Sequence, residues 1–233
     1  MDYPKVLSPM LSTETQRVVV VGGGGFGREV LGYLQADMAS GALPNHHVAG
    51  VADDDPNCEV MRCIASVNFL GRLEAIDGAD KCKFLIAIGS TARRQKIASE
   101  IAALEYQLFT YVHSSVYVAT DAIVGKGTIV GPNCIINSGA VIGDCCALNV
   151  FCSIGHGAEV GDFSVLSPYC ALNGNSRIGK SCMLGTRATI FPGVSLGDRC
   201  KVDTHSLVKA NVSDAMIISN RSRYLVVKNR LEG

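Results

Sequence analysis

The sequence predicts two successive architectures, an α/β domain with a parallel sheet followed by a β-solenoid. The first prediction rests on short apolar runs that alternate with helix-compatible stretches between residues 17 and 112. The second rests on an unbroken six-residue repeat over residues 117–212. A chain of 233 residues is long enough for two modest domains of this kind.

The first 16 residues lack the charged-then-apolar order of a secretory signal, and we interpret them as a leader. No apolar run in the sequence is long enough to span a bilayer, and no basic cluster indicates nucleic-acid binding. The formal net charge is zero. We therefore expect a cytoplasmic protein that binds no nucleic acid and does not insert into a membrane.

Residues 17–112 contain strands and helices in alternation, which is the order of a Rossmann-like parallel sheet. The predicted strands are residues 17–21, 47–52 and 84–88, the helices are residues 28–38 and 92–104, and a turn with a short helix is predicted at residues 70–76. This segment is predicted to form a domain of its own.

Glycines at the end of the first strand form a Gly-x-Gly-x-x-Gly motif, Gly22, Gly24 and Gly27. Between a strand and a helix, the N–H groups of such a turn and the helix dipole attract phosphate oxygens. Asp53 and Asp54 follow the second strand, where carboxylates can accept hydrogen bonds from a base or a ribose. The pattern favours a nucleotide diphosphate site. A tight strand-to-helix turn and a solvated acidic turn are the alternatives.

The repeat consists of 16 six-residue units without an insertion. The second position of every unit is Val, Ile or Leu, and the sixth is always Ala, Cys, Ser, Thr or Val. On a strand these two positions face the same side, and their sizes predict a closed interior. The third position is Gly in eight units and Asn in three, which we interpret as the residues of a tight corner. Strands and corners with three equal sides per turn predict a triangular prism.

Most of the ten cysteines belong to this repeat. Free cysteine in the small interior position packs as a small hydrophobe. No Cys-x-x-Cys pair occurs, so we expect packing thiols in a reducing compartment and no metal site. The interior cysteines are Cys134, Cys146, Cys152, Cys170, Cys182 and Cys200.

The two halves together resemble a known family. The glycine-rich turn, the acidic turn after the second strand, the Ile-Gly-Ser turn after the third, a Val-His-Ser linker at His113 and the repeat are similar to bacterial hexapeptide-repeat nucleotide-sugar acyltransferases. This is the family related to the sialic acid O-acetyltransferases. The resemblance covers residues 17–212 and implies a left-handed parallel β-helix. It also implies a homotrimer that binds acetyl-CoA between adjacent prisms and a nucleotide-linked sugar on the N-terminal sheet.

By position in the family's motifs, Gly24 and Gly25 would contact the diphosphate, and Asp53 and Asp54 the base. The substrate site would also include Gly89 and Ser90, which end the third strand.

His156 matches the family's catalytic base, which removes a proton from the attacking amine or hydroxyl group. Gly174 matches a glycine that lets the pantetheine arm of the coenzyme approach. An exposed histidine without a catalytic role is the alternative for His156.

The sequence departs from the family at three places. Gly157 stands where an acidic residue usually orients the catalytic histidine, and Asp144 or Glu159 are candidate substitutes. Asp203 stands near the expected coenzyme phosphates, where a carboxylate is unfavourable. Residues 219–223 stand in place of the family's Gly-x-Pro-Ala-Lys segment, and we hypothesise that Arg221 and Arg223 compensate for Asp203 by contacting these phosphates.

The predicted domains are a leader (1–16), a Rossmann-like nucleotide-sugar-binding domain (17–112), a left-handed β-helix (113–212) and a C-terminal arm (213–233). The predicted function is acyl transfer, in the first place acetyl transfer, to an amino group of a nucleotide-linked sugar in surface-glycan biosynthesis. O-acetylation is less favoured. A non-catalytic relative that binds the nucleotide sugar is the main alternative.

A γ-type carbonic anhydrase shares the prism but needs closely spaced zinc-binding histidines, whereas His156 and His205 lie 49 residues apart. A homotrimer is also predicted from apolar residues on outer positions of the repeat, which are Val150, Phe151, Phe163, Met183 and Phe191.

Overall fold

A computed structural model describes residues 15–220 of the chain. Its N-terminal elements are β1 (Gln16–Val21), α1 (Gly25–Ala39), β2 (His46–Ala52), α2 (Glu59–Cys63), β3 (Phe69–Gly71), β4 (Cys82–Ile86), α3 (Thr91–Ala103) and β5 (Gln107–Leu108), with 3₁₀ turns at Leu73–Ala75 and Ala79–Lys81. The predicted turn and helix at residues 70–76 thus begin as a short strand. The sequence also missed α2 and β5.

The N-terminal strands form one parallel sheet in the order β3-β2-β1-β4-β5. The apolar run of β1 is buried on both faces, as expected for a central parallel strand. Val18 and Val20 pack with Leu31 of α1 on one side. Val19 and Val21 pack with Ile101 of α3 on the other. The predicted Rossmann-like layering is confirmed.

The rest of the described chain forms a prism of three parallel sheets, built from two-residue strands. The strands β6 to β23 are Tyr111–Val112, Tyr117–Val118, Ile123–Val124, Ile129–Val130, Ile135–Ile136, Val141–Ile142, Ala147–Leu148, Ser153–Ile154, Glu159–Val160, Val165–Leu166, Ala171–Leu172, Arg177–Ile178, Met183–Leu184, Thr189–Ile190, Ser195–Leu196, Lys201–Val202, Leu207–Val208 and Ile217–Ile218. The prism strands therefore extend beyond residues 113–212 at both ends. The predicted interior is confirmed, because the aliphatic second positions form one buried core with the small sixth positions.

The corner geometry differs from the prediction. The left-handed residue of each corner lies at the fifth position of the unit, with φ between 51° and 70° from Gly127 to His205. The third-position glycines are needed for a different reason, because a Cβ would collide with the next coil. At Gly155 it would lie 2.7 Å from the Asn173 carbonyl carbon. Asn137 instead donates its side-chain amide to the Ile154 carbonyl of the next coil, at 2.9 Å.

One corner of the prism is covered by the N-terminal domain. Cys145 and Phe163 at this corner pack with Phe84 and Leu108 of the sheet. Phe163 is therefore engaged at the domain junction, and its assignment to a free outer surface was wrong. Among residues 15–220, no helix is long and apolar enough to cross a membrane.

The junction also contains a buried carboxylate. Asp37, near the end of α1, accepts hydrogen bonds from the Tyr111 hydroxyl at 2.8 Å and from the Ser114 hydroxyl at 2.6 Å. Burial raises the pKa of Asp37, but the bonds from Ser114 and Tyr111 outweigh it and bring the pKa below its ordinary value. This carboxylate therefore ties α1 to the first prism strand and the linker that follows it.

Candidate functional site

A cleft of about 700 Å³ opens at the carboxyl edge of the N-terminal sheet. It lies where β1 and β4 end and where the strand order changes direction, which is the usual ligand position in such sheets. Its walls carry both carboxylates and cations. The lining residues include Gly22, Asp53, Asp54, Arg72, Ile88, Arg93 and Lys96.

The glycine turn beside this cleft has the geometry of a phosphate-binding turn. Gly22 adopts φ 107°, which only glycine takes without strain. A Cβ at Gly27 would collide with the Gly22 carbonyl oxygen, so this glycine allows α1 to pack on β1. A Cβ at Gly24 would have no neighbour within 4 Å, so the start of α1 is open to a ligand. These are the three roles of a dinucleotide-binding glycine motif.

Asp53 is held against this turn. Its Oδ2 accepts a hydrogen bond from the Gly23 N–H at 2.6 Å, and its Oδ1 accepts one from the Asp55 N–H at 2.9 Å. The Asp54 carboxylate is largely exposed and lies 3.3 Å from Arg72 Nε. The structure thus brings Asp53, Asp54 and the glycine turn together. Asp53 already has a structural role as a clamp on the turn.

The other expected substrate residues lie beside the cleft rather than in its walls. The Ser90 hydroxyl caps α3 by accepting the Arg93 N–H at 3.4 Å. Gly89 precedes it, and a Cβ there would have no neighbour within 4 Å. Gly25 faces α2, and a Cβ at this glycine would lie 3.4 Å from Glu59 Oε2. Glu59 in turn pairs with Arg28 at 3.1 Å.

The cations of the cleft are functional candidates that the sequence prediction missed. The exposed Arg93 guanidinium makes no hydrogen bond or ion pair within residues 15–220. Lys96 lies one helical turn further and pairs with Glu100 at 3.5 Å. Their three-residue spacing places them on one face of α3, directly after the Gly-Ser turn. This spacing is the feature of the sequence that could have identified the two cations as candidates.

His156 lies on a different surface, at an exposed corner of the prism. The tip of its ring lies against Gly174 of the next coil, where a Cβ at residue 174 would overlap Nε2 and lie 3.1 Å from Cδ2. Gly174 therefore makes room for the imidazole. The cofactor role expected for Gly174 remains a hypothesis.

No hydrogen bond orients the His156 ring within residues 15–220. Both candidate substitutes for an acidic neighbour are engaged elsewhere. Asp144 Oδ1 accepts the Lys126 N–H at 2.7 Å, and Glu159 pairs with Arg177 at 3.2 Å. A role for either carboxylate in orienting the ring remains a hypothesis.

The corner around His156 is lined by small residues. Its fifth positions are Gly139, Gly157, Asn175 and Gly193. One coil before His156, the Ser138 hydroxyl donates to Asp121 Oδ2 at 2.7 Å. This bond, together with one from the Gly139 N–H, lowers the pKa of Asp121. The corner is thus an open surface with an imidazole and a carboxylate.

The remaining residues that the sequence places near the coenzyme are Asp203, Arg221 and Arg223. Asp203 is exposed, and its N–H donates to the Ile218 carbonyl at 2.8 Å. Arg221 and Arg223 lie outside the described residues. Over residues 15–220, no three His, Cys, Asp or Glu side chains are grouped so that they could hold a metal ion.

Two family models match the chain. Residues 17–101 match the PglD N-terminal domain, and residues 108–218 match the GMPPB C-terminal domain. The predicted resemblance to the hexapeptide-repeat nucleotide-sugar acyltransferases is confirmed. The match to the PglD N-terminal domain spans the glycine turn, Asp53 and the cleft cations. A search among curated protein sequences gave no match.

Solved structures of other proteins share the architecture. A His-to-Asn mutant of perosamine N-acetyltransferase from Caulobacter crescentus, in complex with CoA and GDP-perosamine, is 26% identical with a TM-score of 0.74, and the match covers 86% of this chain and 91% of that one. The acetyltransferase domain of PglB from Neisseria gonorrhoeae is 24% identical with a TM-score of 0.77, covering 90% and 100%. WeeI from Acinetobacter baumannii is 22% identical with a TM-score of 0.76, covering 91% and 100%. The predicted left-handed β-helix after a Rossmann-like domain is confirmed.

Proposed function

We propose that this protein transfers an acetyl group from acetyl-CoA to the amino group of a nucleotide-linked amino sugar, in the cytoplasm, for surface-glycan biosynthesis. One observation carries the proposal. A single chain combines a nucleotide-type cleft with a small-residue prism corner that exposes His156. A similar protein from Caulobacter crescentus, a perosamine N-acetyltransferase, binds CoA and GDP-perosamine.

Beside the cleft, the start of α1, which is open at Gly24, would bind the diphosphate through the main-chain N–H groups of Gly24 and Gly25. Arg93 supplies a guanidinium for the same charge, and this group has no partner within residues 15–220. Asp53 and Asp54 would accept hydrogen bonds from the base or ribose, with Gly89 and Ser90 at the rim. The mixed charge of the cleft suits a ligand that has both an anionic diphosphate and donor groups.

At the prism corner, His156 would accept the proton that the sugar amino group loses as it attacks the thioester carbonyl. A neutral imidazole has a ring nitrogen that can accept this proton, which is the role of a general base. The carbonyl carbon gains a bond to nitrogen, the C–S bond breaks, and the leaving sulfur takes the proton from His156, so that CoA is released as the thiol. Gly174 leaves room beside the ring, and Arg221 and Arg223 remain candidates for the coenzyme phosphates.

We propose a homotrimer in which acetyl-CoA lies between adjacent prisms. Phe151, Tyr169, Met183 and Phe191 are exposed on the prism, between 38% and 45% each. A second copy of the chain would remove these apolar side chains from water, which favours association. Light scattering at micromolar concentration would contradict a shared site if it returned a monomer.

A non-catalytic nucleotide-sugar binder is the second candidate, because Gly157 leaves His156 without an acidic neighbour. Thermal shift with UDP-, GDP- and dTDP-linked amino sugars, each with and without acetyl-CoA, separates the candidates by their ligands. Ligand at 100 times its Kd contributes about 2.7 kcal/mol of stability. We expect one nucleotide sugar and acetyl-CoA to stabilise the protein independently. Stabilisation by the nucleotide sugar but not by acetyl-CoA would favour the binder, and stabilisation by neither would refute both.

A further inference from the structure

Arg94 is a fully buried cation that has no carboxylate partner within residues 15–220. It lies in the first turn of α3, next to Arg93, but its side chain points into the protein and is 0% exposed. The four hydrogen bonds that its side chain makes among the described residues all go to main-chain carbonyls, at 2.6 to 3.0 Å. Burial lowers the pKa of Arg94 to about 10, so the guanidinium remains charged at neutral pH.

These carbonyls belong to two different domains. Ile86 and Ile88 accept from Nη1 at the end of β4, whereas Cys145 and Cys146 on the prism accept from Nε and Nη2. Ile88 is also part of the cleft wall. One planar guanidinium therefore joins the wall of the nucleotide cleft to a prism coil, and its geometry permits little change in their separation.

Stability alone does not require a cation at this place. Replacing a buried charge by a well-packed apolar side chain is often neutral or stabilising. A guanidinium fork instead fixes distances and directions between the groups that it binds. In a transfer reaction between groups held by two domains, such fixed distances matter, because the reacting atoms must approach to about 3–3.5 Å.

We propose that Arg94 is a positioning residue for acyl transfer. It holds the cleft wall at a set distance from the prism, so that the amino group of a cleft-bound substrate meets the acyl group held on the prism. This inference rests on the proposed function. In this proposal Arg94 contacts neither substrate. Its replacement should therefore change the turnover rate but not the binding affinities.

A second junction contact provides the control. Tyr111 donates its hydroxyl to Asp37 at the other side of the junction and does not line the cleft. Tyr111→Phe removes one buried hydrogen bond between the two parts of the chain but leaves the cleft wall in place. A residue that only stabilises the junction should behave like Tyr111.

The test compares Arg94→Lys and Tyr111→Phe with the wild type, well below their unfolding temperatures. We expect Arg94→Lys to lower kcat for thiol release about 10- to 100-fold, since small misplacements have large effects on rate. The Kd values of acetyl-CoA and of the nucleotide sugar, from calorimetry, should change less than about threefold, because the charge-bearing contacts to both ligands remain. Tyr111→Phe should lower the unfolding temperature and retain kcat within about twofold. If Arg94→Lys does not fold, Arg94→Gln takes its place.

Two results would overturn the inference. One is an Arg94 variant with the kcat of Tyr111→Phe. The other is a nucleotide-sugar affinity that falls in step with kcat, which would assign Arg94 to binding. A wild type without any thiol release would instead refute the proposed function, and the role of Arg94 with it.

Discussion

Two exposed corners of the prism share one backbone conformation but differ in the size of their side chains. The fifth positions at the His156 corner are three glycines and one asparagine, with φ from 56° to 70°. The fifth positions at the other corner include Phe151, Tyr169 and Arg187, with φ from 59° to 63°. The Phe151 and Tyr169 rings stack at 4.9 Å, and Arg187 lies 4.9 Å from the centre of the Tyr169 ring. Side-chain size distinguishes the two corners, and we call the small-residue corner at His156 the groove and the aromatic corner the ridge.

The difference has an energetic side. A residue other than glycine in the left-handed region costs roughly 1–2 kcal/mol. The aromatic corner bears this cost at successive coils and leaves its rings about half exposed, whereas the His156 corner mostly avoids it. We infer that the ridge serves contact with a second copy and the groove serves ligand binding.

The largest expected effect separates the two corners directly. His156→Asn should lower turnover by roughly 10²–10⁴ without unfolding the protein, because the side chain points outward. His205→Asn is the matched control, since His205 is exposed and occupies a fifth position at the aromatic corner. Thiol release measures both. Equal rates in the two variants would remove the catalytic assignment from the groove.

Filling the groove should have the next largest effect. A methyl group at residue 174 would displace the imidazole, so Gly174→Ala should lower kcat about 10- to 100-fold, as misplaced catalytic groups do. Gly193→Ala adds a methyl at the same corner with no neighbour within 4 Å and should cost only backbone strain. An unimpaired Gly174→Ala enzyme would mean that the observed ring position is not the one used in turnover.

Removing a ring from the ridge should affect assembly. Truncation of a central aromatic residue at an interface costs about 1–2 kcal/mol or more, so Tyr169→Ala should weaken self-association about tenfold or more. Sedimentation of the variant over a concentration series measures this. Arg62→Ala, an exposed change outside the prism, should have no effect. A trimer of unchanged affinity would place the interface elsewhere.

The smallest expected effect comes from the junction between the N-terminal domain and the prism, and it should not distinguish the two corners. Asp37 has a pKa below its ordinary value, so its stabilising effect is complete above about pH 4 and is lost as the pH falls through the folded-state pKa. Asp37→Asn should lower the unfolding free energy at pH 7 by about 1 kcal/mol and flatten its fall below about pH 4. Urea titrations at several pH values test this, and parallel pH curves would contradict it.

The prism was predictable from the sequence because its pattern is local. Each interior position can be recognised from its neighbours within one six-residue unit, and the same pattern recurs in every unit. The reason for the third-position glycines was missed, because they are required by the next coil, 18 residues away. His156 was placed correctly on an outward corner, but its contact with Gly174 depends on the same stacking.

The N-terminal domain was less predictable, since its site depends on tertiary contacts. Arg93 and Arg94 are adjacent in the sequence, yet one is exposed in the cleft and the other is fully buried at the junction. Only the packing of α3 between the sheet and the prism distinguishes them. The same holds for Asp53, whose clamp on Gly23 joins residues 30 positions apart.

The central claim is that the groove at His156 carries out acyl transfer to a substrate held by the nucleotide cleft. Thiol release from acetyl-CoA by the wild type tests it most directly, with UDP-, GDP- and dTDP-linked amino sugars and with the nucleotides alone. We predict thiol release that depends on one amino-sugar nucleotide and equals the amount of N-acetylated sugar in the product. No thiol release with any of these acceptors, while the cleft binds one of them, would contradict the claim and identify a non-catalytic binder.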